Sequence, residues 1–252
     1  MNSSVRIIPV LLLENKGLVK TVRFKNPVYI GDPINAVRIL NDKEVDELVF
    51  LDIGAGKDKM RMDFEAIRNI TEECFMPLGI GGGIRSVEDA KRLFKMGIEK
   101  IILNTLAISQ PYLIRNLSDI YGSQSIVVCL DVKKNLFGKN KLFIKGGTQK
   151  VDLDIFKHVE NIQKFGAGEI IINSIDNDGI MKGYDLILIE EISRKTDLPV
   201  VACGGAGVFD DFHKAVNNGA SAVAAGSMFV YQGPHRAVLI NYPKEKLSKV
   251  YG

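Results

Sequence analysis

A chain of 252 residues, 46% hydrophobic, is long enough to bury one large core, and α/β barrels of this length fold as a single domain. The 33 basic and 30 acidic residues leave a formal net charge of +3 and no basic block of the kind that grips nucleic acid. No apolar run is long enough to span a bilayer and Met1–Val10 lacks the pattern of a secretory signal, so the expected setting is the cytoplasm, with no membrane partner.

In chain order, short apolar runs predict strands at Arg6–Leu12, Leu48–Asp52, Pro77–Gly81, Lys100–Asn104, Ile126–Asp131, Glu169–Ser174, Pro199–Cys203 and Ala222–Gly226. Most are β-branched without polar alternation, as expected of a parallel sheet covered on both faces. Between them apolar residues recur at helical spacing, as Ala90, Leu93 and Phe94 or Ile155, Val159 and Ile162. Ser86 and Asp152 read as helix starts with acidic first turns, and Lys244, Lys246 and Lys249 as one solvated helix face. Strand and helix alternate eight times, the count of a (β/α)8 barrel in one domain spanning 1–252.

The chain also repeats itself. Gly82-Gly83 through Asn104-Thr105 runs in step with Gly204-Gly205 through Gly226-Ser227 at an offset of 122 residues, and the same offset links Glu47 to Glu169. Two half-barrels of four βα units give this spacing.

Active sites of such barrels sit at the C-terminal strand ends, and five ends here carry anion-binding chemistry. These are Gly81-Gly82-Gly83, Asn104-Thr105, Asp178-Gly179, Gly204-Gly205 and Gly226-Ser227. Glycines let backbone N–H groups approach a phosphate, and hydroxyls and helix starts add donors. Tight turns are the bland reading. Two sets half a barrel apart favour an elongated small molecule with a phosphate at each end.

Asp131, polar after five apolar residues, is the candidate general acid or base; its alternative is a salt bridge with Lys133 or Lys134. Asp52 reads as orienting a loop, and Asp178 either binds substrate or caps its own turn. Cys74, Cys129 and Cys203 are dispersed, the last two inside strands as buried structural thiols. His158, His213 and His235 are scattered and taken as surface residues, so neither a metal nor a cofactor is expected.

Arg6-Ile7-Ile8, Gly31-Asp32-Pro33, Asp46 through Asp52, Gly81-Gly82-Gly83-Ile84, Gly122-Ser123-Gln124, Ser174-Ile175-Asp176 with Asp178-Gly179, and Gly204-Gly205-Ala206-Gly207 resemble the cyclase subunit of imidazole glycerol phosphate synthase, from Arg6 to about Phe229. That resemblance implies a lyase of histidine biosynthesis. It takes ammonia from a separate glutaminase subunit docked on the N-terminal barrel face and reacts it with a bis-phosphorylated aminoimidazole carboxamide ribonucleotide. It places one phosphate on Gly83, Asn104 and Thr105, and the other on Asp178, Gly179, Gly205, Gly226 and Ser227. It makes Arg6, Glu47, Lys100 and Glu169 an ammonia gate at the barrel bottom, where a purely architectural charge ring is the alternative. It makes Lys20 a substrate-contacting lysine of a flexible first loop.

The resemblance fails at one decisive place. The family's reaction uses an aspartate at the end of the first strand as well as the fifth, and the partner of Asp131 here is Leu12. Losing one such group costs a factor of roughly 10² to 10⁴ in rate; Glu14 is the only nearby substitute. Gly79 and Ile102 stand where hydroxyls are expected. Pro9-Val10-Leu11-Leu12-Leu13 and the tail Gly233 through Pro243 instead resemble a paralogous branch tied to surface-polysaccharide (lipopolysaccharide) biosynthesis. There the glutaminase and a third, sugar-modifying protein install an acetamidino group. Three readings stand: an ammonia-delivering subunit of that pathway, a true cyclase that tolerates Leu12, and a phosphate-binding scaffold without catalysis.

Overall fold

The computed structural model describes residues 5–55 and 61–244. Eight strands form a closed parallel barrel: β1 (Arg6–Glu14), β2 (Leu48–Asp52), β3 (Leu78–Gly81), β4 (Lys100–Leu103), β5 (Ile126–Lys134), β6 (Glu169–Ser174), β7 (Val200–Cys203) and β8 (Ala222–Ala225). β8 pairs with β1 through Arg6↔Ala222, and β5 with β6 from Glu169↔Val127 to Ser174↔Val132.

The two-residue period of a strand divides its side chains between two cores. One set fills the lumen, among them Ile8, Val10, Val49, Ile102, Val127, Ile171, Val201 and Ala224. The alternate set, such as Ile7, Leu11, Phe50, Ile101, Val128 and Ile172, packs beneath the helices. Both faces of each strand are therefore apolar, which is why the runs read as continuous. The unexpected Gly79 and Ile102 are explained together. A Cβ on Gly79 would stand 3.0 Å from Ile102 Cδ1, and one on Gly81 2.7 Å from Leu51 Cδ2. The glycines of β3 make room for larger aliphatics from β2 and β4, and the lumen stays apolar where hydroxyls were expected.

Several expectations need correction. The helix predicted to start at Asp152 starts two residues later: Asp154 is its N-cap, accepting from the N–H of Lys157, and the helix runs Ile155–Lys164. Ser86 does cap Val87–Lys95 as expected. Two antiparallel ribbons were not foreseen. β1 runs past the barrel rim and pairs with Gly17–Val22, which pairs with Lys25–Gly31. β5 likewise extends to pair with Asn140–Ile144 and then Gln149–Val151. Lys244 forms an ion pair with Glu44, while Lys246 and Lys249 lie outside the described residues.

His213 and His235 are exposed, but His158 is buried on the inner face of its helix between Ile155 and Ile162. Burial alone pushes its pKa down to about 4. The folded chain holds this imidazole neutral while the unfolded chain protonates it, so stability falls as pH drops from about 6.5 towards 4. His158→Leu should flatten that part of the acid limb in urea titrations; an unchanged slope between pH 6.5 and 4 would count against this burial.

Candidate functional site

At the N-terminal end of the barrel, Arg6 and Lys100 open β1 and β4, Glu169 opens β6, and Glu47 directly precedes β2. The four meet in one closed ring. Arg6 donates to both Glu47 and Glu169, and Lys100 Nζ stands 2.9 Å from a carboxylate oxygen of each. Both glutamates are about 5% exposed, so neither charge is solvated and each depends on its two cations. The ring caps the lumen, and the apolar layer of Ile8, Val49, Val127 and Ile171 lies directly above it.

At the other end the lumen opens into a cavity of about 170 Å³. Its lining brings together Leu12, Lys20, Asp52, Gly83, Asn104, Thr105, Asp131, Asp178, Gly179, Gly205, Gly226 and Ser227, while Gly81 lies behind it in β3. Glu14 lies outside it, against Gly54 on the connection that follows β2.

Asp131 is 7% exposed and points inward from β5. The amide of Asn173 donates to it at 3.3 Å and the Cys129 thiol lies at 3.5 Å. Burial, outweighing these two bonds, pushes its pKa up to about 7. No salt bridge joins it to Lys133 or Lys134: the Lys134 ammonium is 2.7 Å from Asp185, on the outer side of the strand end. A carboxyl poised near neutrality suits proton transfer in either direction. Leu12 faces the same cavity from β1, level with Leu51 on β2. Across the barrel from Asp131, β1 thus presents Leu12 rather than a carboxyl.

The raised pKa has a consequence for stability. The folded chain holds this proton up to about pH 7 and the unfolded chain only to about 4, so stability falls as pH rises from about 4 to about 7 and the whole cost is present above that. Asp131→Asn should therefore stabilise the protein at pH 8, by on the order of 1–4 kcal/mol, and by less at pH 5. Equal melting shifts at both pH values would contradict the buried, uncompensated carboxylate.

Lys20 is not on a flexible loop. It sits in Gly17–Val22, the strand that continues the sheet beyond β1, and is 5% exposed. Its ammonium lies over Gly226, where a Cβ would come within 2.2 Å of Nζ. Burial lowers its pKa against the opposing charge of Asp178. Asp178 does not cap its own turn. It accepts from Thr21 Oγ1 at 3.3 Å, tying the strand that carries Lys20 to the end of β6, and burial raises its pKa. Asp52 accepts the Ala55 N–H at 2.9 Å and so organises the connection after β2.

The glycine pairs satisfy the turn reading and line the cavity as well. Gly205 has φ +126°, and a Cβ on it would fall 2.1 Å from the Gly183 carbonyl oxygen, so the chain passes where no side chain fits. The short helices Thr105–Ser109 and Ser227–Val230 begin at the cavity; the N–H groups of Ala107 and Phe229 bond back to the Asn104 and Gly226 carbonyls at 3.1 Å, and those of the two residues before each have no helical acceptor. Asn104 and Thr105 also have structural partners: Asn104 donates to the Cys129 carbonyl at 3.0 Å, and Thr105 Oγ1 accepts the Lys145 N–H at 3.2 Å. Asn173, which sequence reasoning passed over, was within reach: counting inward from Glu169 in steps of two lands on it.

A sequence profile of the family described as histidine biosynthesis protein matches residues 6–235. Two relatives provisionally named as imidazole glycerol phosphate synthase subunits are hisF2 of Pseudomonas aeruginosa and hisF3 of Vibrio vulnificus. The first is 47% identical over 239 residues, covering 94% of this chain and 95% of the relative. The second is 49% identical over 246 residues, covering 97% and 95%. The imidazole glycerol phosphate synthase subunit HisF of Alkaliphilus metalliredigens is 38% identical over 227 residues, covering 90% of each chain.

Proposed function

Because the chain belongs to the histidine biosynthesis protein family, we propose that it is the ammonia-accepting subunit of a glutamine amidotransferase complex of the imidazole glycerol phosphate synthase type. In this reading a glutaminase docks on the end of the barrel that carries Arg6, Glu47, Lys100 and Glu169. Ammonia passes the ring, crosses the apolar lumen and emerges beside Asp131, between two phosphate-binding rims. An apolar lumen suits the neutral molecule, since an ammonium ion would lose its hydration there without replacement. The observation that carries the reading is the conjunction of an intact charge ring with a mouth in which β1 presents Leu12, not a carboxyl, as the counterpart of Asp131.

That conjunction favours delivery of ammonia to acetamidino-sugar formation in surface-polysaccharide synthesis, with the sugar chemistry completed on a third protein. Conduction needs the ring and the lumen; cyclisation needs the missing aspartate. A second reading, the histidine-pathway cyclase, is favoured by Asp131 itself, buried and titrating near neutrality between the two rims. Complementation of a histidine auxotroph lacking its own cyclase separates the two. The first reading predicts no growth, and growth that depends on Asp131 would establish the second.

A further inference from the structure

The two ribbons flanking the mouth differ in charge from the rest of the molecule. Residues 15–31 and 133–150 hold ten lysines and arginines and no aspartate or glutamate; the remainder, with 23 basic and 30 acidic residues, is net acidic. Leu18, Val19, Ile30, Leu142 and Ile144 of the ribbons are buried, but several other apolar side chains point outward. Val28 and Tyr29 are 59% and 68% exposed, and Leu136 and Phe137, at the tip of the second ribbon, are fully exposed or nearly so. That tip has a fixed shape, because the N–H groups of Phe137 and Lys139 both donate to Asn135 Oδ1 at 2.9 Å.

The ribbons form one surface. Arg23 Nε donates to the Asp176 carbonyl at 3.1 Å, and the Lys134 N–H donates to the Asp176 carboxylate at 2.8 Å. Phe24, at the turn of the first ribbon, lies over Gly147 in the second, where a Cβ would stand 2.8 Å from its ring. Lys25, Lys139 and Lys150 are exposed and have no acidic partner among the described residues.

We infer that this rim is the docking surface for the enzyme that consumes the ammonia, a protein presenting an acidic face around an apolar pocket for Leu136 and Phe137. The inference rests on the ammonia-delivery reading. Ammonia released into water near neutral pH takes up a proton and ceases to be a nucleophile, so an open mouth would undo what an apolar lumen preserves. A delivering barrel therefore needs its exit covered. Exposed apolar anchors bordered by charge have the anatomy of a protein interface, and a net positive rim steers an acidic partner onto the mouth.

The test uses the barrel, its glutaminase and the purified acetamidino-forming enzyme, supplied with glutamine labelled with ¹⁵N at the amide and an excess of unlabelled ammonium chloride. The nitrogen in the product reports whether ammonia is handed over or mixes with the bulk. With the wild-type barrel the product should carry mainly glutamine nitrogen. Leu136→Asp with Phe137→Asp should bring the label to the bulk ratio and weaken binding of the acceptor enzyme about 30-fold or more, as loss of a central anchor does. Lys25→Glu with Lys139→Glu should act in the same direction without touching the apolar tip. Stimulation of the glutaminase should persist in both variants. Full label retention in both pairs of variants would overturn the docking surface and leave the delivery reading intact. A bulk ratio with the wild-type barrel would overturn both.

Discussion

Leu12→Asp is expected to raise the ammonia-driven cyclase activity of this chain by a factor of roughly 10² to 10⁴, the contribution of one positioned acid or base. Leu12 lines the same cavity as Asp131, from β1 against β5, so the new carboxyl would enter a mouth that already has two rims of backbone donors. The substitution carries a cost in stability. Leu12 is 9% exposed beside Leu51, and a carboxylate there is desolvated and faces the charge of Asp131. Two carboxyls in one desolvated mouth disfavour each other's ionisation, which separates their pKa values, so the recovered activity should show a bell-shaped dependence on pH. If activity stays at background while the variant folds and binds the phosphorylated substrate, Leu12 is not what separates this chain from a cyclase.

Lys100→Glu should have the second-largest effect. Lys100 holds Glu47 and Glu169 at 2.9 Å each, and its reversal leaves three carboxylates in the ring against Arg6 alone. Breaking a buried ion pair on this scale costs about 3–5 kcal/mol, so the variant is first checked by melting. In the folded variant, glutamine-dependent product formation should fall at least about tenfold, equivalent to 1.4 kcal/mol on the limiting step. Lys100→Met, which keeps the stem and removes the charge, separates repulsion from the loss of a cation. Unchanged glutamine-dependent turnover in both variants would reduce the ring to an architectural closure of the barrel.

The sequence made the barrel readable because a parallel strand buried on both faces leaves an uninterrupted apolar run; Leu48–Asp52 and Glu169–Ser174 were placed to the residue. The ribbons escaped because the opposite holds for them. Lys25–Gly31 is almost wholly exposed and contains a proline, so nothing in it marks a strand. Lys20 was misplaced for the same reason, since its strand exists only because β1 continues past the rim to pair with it. His158 had a visible signal that was passed over: it lies three residues after Ile155 and four before Ile162, on the buried face of its own helix. Gly82-Gly83 with Gly204-Gly205, and Asn104-Thr105 with Gly226-Ser227, were legible because the half-barrel repeat marks them twice; Asp131 was legible as the polar end of an apolar run. The four ring residues came from the resemblance, and their places agree with it, since Arg6, Lys100 and Glu169 each open an apolar run and Glu47 directly precedes one. How these four charges connect was not legible, because it depends on side chains meeting across the barrel axis.

The most direct measurement of the central claim is a cyclase assay on the purified chain alone, with the bis-phosphorylated aminoimidazole carboxamide ribonucleotide and a high concentration of ammonium salt. Free ammonia bypasses the glutaminase and the ring, so the assay isolates the chemistry of the mouth. With Leu12 in place of the second aspartate, a folded and phosphate-binding chain should show no appreciable turnover. Turnover at the level of a histidine-pathway subunit would contradict the account and make this barrel a cyclase that works with Asp131 alone.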